Sequence, residues 1–179
     1  MLGEVRGTVR FKEPLSFYTA LRTGGNADIF VVPQDLEDVR HTLAFAYRQQ
    51  LPLMVLGGGT KMLVKDGGIR AVVVKLEGRL ARADFHGEEA MVGGGMGLAT
   101  LVRHAAAQEL GGIEPLVGIP ATVGGAVMTN AGTADGWIGD YLSAAYFPYP
   151  DGSFGEYKPP STPMAERGLE MWASTRSAR

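Results

Sequence analysis

The spacing of apolar positions changes several times along the chain, and each change marks an element. Residues Ala27 to Val32 are β-branched or aromatic almost throughout, and Pro33 stops the run, which predicts a strand. Asp35 is a good helix N-cap, and apolar or small residues follow at Leu36, Val39, Leu43, Ala46 and Tyr47. That stripe predicts a helix closing before Pro52. Leu53 to Leu56 predicts a short buried strand that empties straight into Gly57, Gly58 and Gly59. Ala71 to Leu76 predicts another strand, and Glu89 to Val92 leads into a second triplet, Gly93 to Gly95. Leu98, Leu101, Val102, Ala105 and Ala106 form the stripe of a second amphipathic helix, ended near Gly111 and Gly112. From Ile113 to Gly132 the chain is apolar and punctuated by glycine. Tyr146 to Pro150, with Asp151 and Gly152, predicts a strand broken by a turn. Lys158 to Pro163 predicts an extended loop, and Ser174 to Arg179 a frayed end. Strands and helices are mixed, so the class is α+β. The chemistry is expected in the glycine turns.

Composition narrows this picture. Apolar residues are 45% and charged residues 20% of the chain, against the low hydrophobicity and high charge of disorder. At 179 residues one domain is expected, or two small ones sharing a core. A net charge of −2 supplies no basic field for nucleic acid or anionic lipid, so neither is an expected partner. Without cysteine there is no disulfide scaffold, thiolate nucleophile or thiolate-held metal. No segment resembles a signal peptide or a membrane span, so a cytoplasmic, soluble protein is expected. His41 and His104 lie off the helical stripes and His86 in a turn before Gly87, so no metal site is expected. Glycine is the outlier: 26 of 179 residues, roughly twice usual usage.

A strand that empties into consecutive glycines exposes backbone N–H groups with no side chains in the way. Such a nest suits a phosphate or diphosphate. Thr60 and Lys61 add a hydroxyl and a cation after Gly57–Gly59. The alternative is a tight turn with no ligand. Two familiar phosphate motifs fail on spacing. A dinucleotide fingerprint needs glycine at position 62, which is Met, and residues 62–70 are too short for a crossover helix despite Glu77 standing where a ribose-binding acid would. A P-loop needs glycine before Lys61, where Thr60 stands. In the second cluster, Gly118 to Gly132, Pro120 fixes a backbone angle and Gly124–Gly125 permits close approach of a flat ligand or another chain. Thr122, Thr129 and Asn130 offer the few polar groups that an apolar ring pocket needs.

These segments resemble the FAD-binding part of the UDP-N-acetylenolpyruvoylglucosamine reductase family (UDP-N-acetylmuramate dehydrogenase) of peptidoglycan precursor synthesis. The likeness begins at Leu21 to Pro33, continues through Pro52 to Val64, and is longest over Gly112 to Gly132; together it covers roughly residues 15 to 155. It implies an α+β FAD-binding fold of the vanillyl-alcohol-oxidase/p-cresol methylhydroxylase type. Two small α+β subdomains, about 16–78 and 79–157, would make up an FAD-binding domain of 16–157. An N-terminal segment, 1–15, precedes it and a Pro-rich loop and tail, 158–179, follows. The resemblance assigns Gly57, Gly58, Gly59, Thr60, Met62 and Leu63 to the diphosphate, with Lys61 replacing the family's usual asparagine. It assigns Ile119, Pro120, Ala121, Thr122, Val123, Gly124 and Gly125 to the flavin and adenosine portions, and Asn130 and Gly132 close the same motif.

The family reduces FAD with NADPH and passes hydride to the enolpyruvyl group of a UDP-sugar. An arginine in a Gly-Tyr-Arg-x-Ser motif polarises the substrate, and a serine and a glutamate of a separate substrate domain are implicated in protonation. Nothing in the sequence matches that substrate domain. Arg167 falls where the arginine motif can align, but Glu166 replaces the tyrosine and Leu169 the serine, so it reads more readily as a surface arginine. Three readings therefore stand: the reductase or its flavin-binding piece, a flavin or nucleotide holder without reductase chemistry, and a truncated or frame-shifted product.

Overall fold

A computed structural model describes residues 2–149, 151 and 153–159. Its centre is a four-stranded sheet. Strand β1 (Thr8–Pro14) runs antiparallel to β2 (Asn26–Val32). Helix α1 (Leu36–Arg48) then crosses to β3 (Leu53–Leu56), and β4 (Ile69–Lys75) inserts between β2 and β3, parallel to both. The central strand is Ala71-Val72-Val73-Val74, buried on both faces, as a continuous apolar run in a parallel sheet must be. Alternation along the strands divides the core. Phe30, Leu56 and Val73 join Leu15 and Val64 on one face; Val31, Val72 and Val74 meet Ala46 of α1 on the other.

Two expectations about this layer need correction. Strand β3 is only partly buried: Leu56 reaches the core, but the strand sits at the sheet edge beside β4 and Val55 is 57% exposed. Helix α1 starts at Asp35 as expected, whose side chain accepts the Glu37 and Asp38 N–H groups. Its deepest positions, however, are Asp38, Thr42 and Ala46, while Leu36 and Tyr47 are exposed. The cause is a polar anchor. The Asp38 carboxylate accepts backbone N–H groups from Gly7 at 2.8 Å, Gln34 at 2.9 Å and Arg6 at 3.1 Å, which turns this face inward.

Beyond β4 come a hairpin of β5 (Ala83–His86) and β6 (Glu89–Val92), then helix α2 (Leu98–Ala107). His86 therefore ends a strand, opposite Glu89, rather than lying in the turn. Leu98, Leu101, Val102 and Ala105 of α2 are buried, but Ala106 is exposed. Leu98 and Val102 pack with Leu116, Ala126, Ala131 and Ile138. Ala126 belongs to a two-turn helix, α3 (Val123–Thr129), that periodicity did not reveal. Its two internal glycines lower helix propensity, and seven residues are too few to show a stripe. The described chain closes with two antiparallel pairs, β7 (Gly132–Thr133) with β8 (Gly136–Trp137), and β9 (Ala145–Pro148) with β10 (Phe154–Tyr157). Among the described residues no helix is long and apolar enough to cross a membrane.

Candidate functional site

The parallel strands β3 and β4 end side by side, with Leu56 opposite Lys75. The crevice beyond the carboxyl ends of parallel strands is where α/β sheets commonly place ligands. Here it receives the first glycine loop, and its three glycines differ in what they do. Gly59 has φ +65°, and a Cβ there would stand 1.9 Å from the Tyr18 carbonyl oxygen. Its own carbonyl accepts the Ala20 N–H at 3.1 Å. Gly59 is thus a requirement of the fold. A Cβ on Gly57 would stand 2.8 Å from Thr122 Oγ1, a side chain of the second glycine-rich segment. At Gly58 a Cβ would meet nothing closer than 3.9 Å, so this glycine presents bare backbone to open space.

Thr60 fastens the two segments together: its Oγ1 donates to the Pro120 carbonyl at 2.6 Å. Met62 turns onto the core around Leu15 and Phe30, whereas Lys61 and Leu63 are exposed. The second segment is held from beneath. Leu98 N–H donates to Ala121 O at 2.9 Å, Val123 N–H to Met96 O at 2.7 Å and Gly124 N–H to Gly94 O at 2.9 Å. Thr122 caps α3 by accepting the Gly125 N–H at 3.3 Å, and Ile119 packs against the α2–α3 core. The second triplet is therefore floor rather than cradle. Cβ atoms on Gly93 and Gly95 would lie 2.4 and 2.2 Å from the carbonyls of Leu80 and Leu76, so the chain must pass there without side chains.

Asn130 and Gly132 belong to the far end of α3 instead. Asn130 is buried at φ 44°, and its Oδ1 accepts the Gly139 N–H at 3.2 Å. A Cβ on Gly132 would stand 2.7 Å from the Trp137 ring. Both positions are occupied in shaping the β7–β8 corner. Arg167, like Glu166 and Ser161, lies outside the described residues.

An open cavity of about 550 Å³ begins at Gly58 and is lined by Phe17, Tyr18, Thr19, Ala20, Arg22, Lys75 and Glu77. Sequence reading missed most of this wall. Residues 17–22 carry no periodic pattern, and they are brought in by the bond from Ala20 to the glycine loop. Lys75 had one signal, a charge interrupting the apolar run from Ala71 to Leu76. Its Nζ stands 3.5 Å from Gly57 O, 3.5 Å from a Glu77 carboxylate oxygen and 5.9 Å from the centre of the Tyr18 ring. Tyr18 stacks on Phe30 at 4.5 Å and donates its hydroxyl to Glu13 at 2.7 Å. Burial and that bond to the Glu13 carboxylate push the Tyr18 phenol up, and the same bond, aided by Arg10, holds Glu13 down. Around the cavity the phenol thus stays neutral and Glu13 charged near neutral pH.

Bare backbone at a strand end, a hydroxyl-tied second loop and a cation beside them define a holder of an anionic cofactor. The chain belongs to the FAD binding domain family, which matches residues 27–154. Its fold is the α+β FAD-binding fold of the vanillyl-alcohol-oxidase/p-cresol methylhydroxylase type. It is 41% identical over 152 residues to a UDP-N-acetylenolpyruvoylglucosamine reductase of Desulfosudis oleivorans, covering 82% of this chain and 49% of that protein. The crystal structure of UDP-N-acetylenolpyruvylglucosamine reductase from Thermus caldophilus is similar at a TM-score of 0.70 and 36% identity, over 87% of this chain and 53% of that one. A BBE-like 1 variant of Physcomitrella patens shares the fold alone, at 20% identity and a TM-score of 0.62, over 88% of this chain and 37% of that one. The chain thus spans about half the length of the reductases it matches. The residues present fit FAD: the open Gly58 leaves room for a diphosphate against the backbone, and the adjoining cavity carries the positive charge of Lys75.

Proposed function

We propose that the chain is the flavin-holding part of an NADPH-dependent reductase acting on the enolpyruvyl group of UDP-N-acetylglucosamine enolpyruvate. The observation that carries this reading is the junction of the two glycine-rich segments, tied by the Thr60–Pro120 bond beside an open glycine. In this reading Gly57, Gly58, Gly59 and Thr60 meet the diphosphate through backbone N–H groups, while the Thr60 hydroxyl stays on the Pro120 carbonyl. Met62 supports them from the core and Leu63 and Lys61 flank the loop. Ile119 to Gly125 offer an apolar, closely approachable surface to the flavin and adenosine, with Asn130 and Gly132 fixing the corner behind it. Residues 16–157 would form the holding domain, in two parts meeting near residue 78.

Bound FAD supplies hydride chemistry, so the protein's task is to bind, orient and exclude water. The substrate would be a UDP-sugar and the setting the cytoplasm. Similarity to the reductases supports the reading, and the match to an FAD binding domain over residues 27–154 fits a second one as well: a holder that binds flavin without reductase chemistry. Stopped-flow mixing of the FAD-loaded protein with NADPH separates the two. Rapid bleaching of the oxidised flavin band supports the reductase; a flavin that stays oxidised supports the holder.

A further inference from the structure

The sheet delivers Lys75 to the glycine loop: it is the last residue of β4 and pairs in register with Leu56, the residue before Gly57. Its side chain is only 19% exposed. An ammonium carries three donors. Its two polar neighbours, Gly57 O and the Glu77 carboxylate, each stand at 3.5 Å. That is well beyond the roughly 2.7–2.9 Å of a strong charge-assisted bond. This sheltered cation is therefore loosely held, faces the cavity that begins at Gly58, and sits beside exposed backbone. Lys61 differs on each count, being exposed and absent from the cavity wall.

We infer that Lys75 is the cation that grips the diphosphate of the dinucleotide at the glycine loop, with Glu77 as its counter-ion while the site is free. The inference rests on the flavin-binding reading above. On binding, the ammonium leaves Glu77 for a phosphate oxygen, and no covalent bond changes. Lys61 is left as a solvated surface charge.

The test is a fluorescence titration of the full 179-residue chain with FAD at several salt concentrations, repeated with riboflavin, which has the flavin ring but no phosphate. Lys75→Met is expected to weaken FAD about tenfold or more, the worth of one bond to a charged group. It should also flatten the salt dependence and leave riboflavin binding unchanged. Lys75→Arg should recover part of the loss, Glu77→Gln should tighten FAD several-fold by freeing the ammonium, and Lys61→Met should weaken FAD far less than Lys75→Met. Unaltered affinity and salt slope in Lys75→Met would overturn the inference. So would an equal loss of riboflavin and FAD, because that pattern reports a collapsed cavity wall. Should Lys75→Met not fold, Glu77→Gln decides: tighter FAD supports the inference and unchanged FAD overturns it. Failure of the flavin-binding reading looks different, since the unaltered chain would then take up neither compound.

Discussion

Gly58 and Gly59 are adjacent and identical in sequence, yet their surroundings predict opposite consequences of adding a side chain. At Gly59 a Cβ collides with the Tyr18 carbonyl, and φ +65° is itself unfavourable for other residues. Gly59→Val is expected to destabilise the apo protein by several kcal/mol, read as a lowered thermal midpoint. Gly58→Val has open space in the free protein and should leave the midpoint within a few degrees, while weakening FAD at least tenfold by filling the cradle. Equal loss of stability and affinity in Gly58→Val would make the loop a structural turn. A sequence shows that a glycine triplet needs glycine somewhere; it does not show which member faces solvent and which faces a carbonyl. The Gly93–Gly95 triplet repeats the same pattern after a strand, yet two of its glycines are there to pass close to backbone.

At the scale of elements, the strongest local device is the anchor between the N-terminal segment and α1. Burial pushes the Asp38 carboxyl up, but N–H donors from Gln34, Arg6 and Gly7 and the Arg6 side chain outweigh it and hold the group below the ordinary range. A depressed folded value means stability that is complete above the unfolded value, about 3.9, and lost as pH falls through the lower folded value. Urea melts of the protein and of Asp38→Asn should therefore differ at neutral pH and converge as the pH is taken progressively below that ordinary value. A constant gap across that window would show that the carboxylate charge is not what matters. Asp38→Ala should cost about 2–3 kcal/mol at neutral pH, by stranding donors that this side chain now satisfies. Thr60→Val should loosen the second segment from the first, raising hydrogen exchange at residues 118–122 and weakening FAD a few-fold.

Strands β2 and β4 and helix α2 were legible because burial on one or both faces imposes a regular apolar pattern. Helix α1 was legible in extent but not in orientation. Its inward face is led by Asp38, and a carboxylate satisfied by distant backbone leaves no trace in apolar periodicity. The cavity wall at residues 17–22 was hidden for a related reason: those residues are placed by contacts across sequence, among them the bond from Ala20 to Gly59 and the stack of Tyr18 on Phe30.

The chain matches the FAD binding domain family over residues 27–154 and covers about half of the reductases it resembles. That proportion bears on catalysis more than on cofactor binding. Reducing an enolpyruvyl group needs a positioned acid for the developing carbanion, and missing general acid–base help typically costs about 10²–10⁴-fold in rate. A steady-state assay of residues 1–179 with NADPH and enolpyruvyl UDP-N-acetylglucosamine therefore separates the two readings proposed above: a negligible rate is expected of a flavin holder, and a robust rate supports the reductase.

The proposed site for FAD is the junction of the two tethered glycine-rich segments. Its test is a titration of the purified apo chain with FAD, followed by flavin fluorescence and the visible spectrum. Saturable uptake is expected, with a yellow protein that keeps its flavin through gel filtration and a folded Gly58→Val variant that loses it. A folded chain that stays colourless and leaves the fluorescence of added FAD unchanged would contradict it.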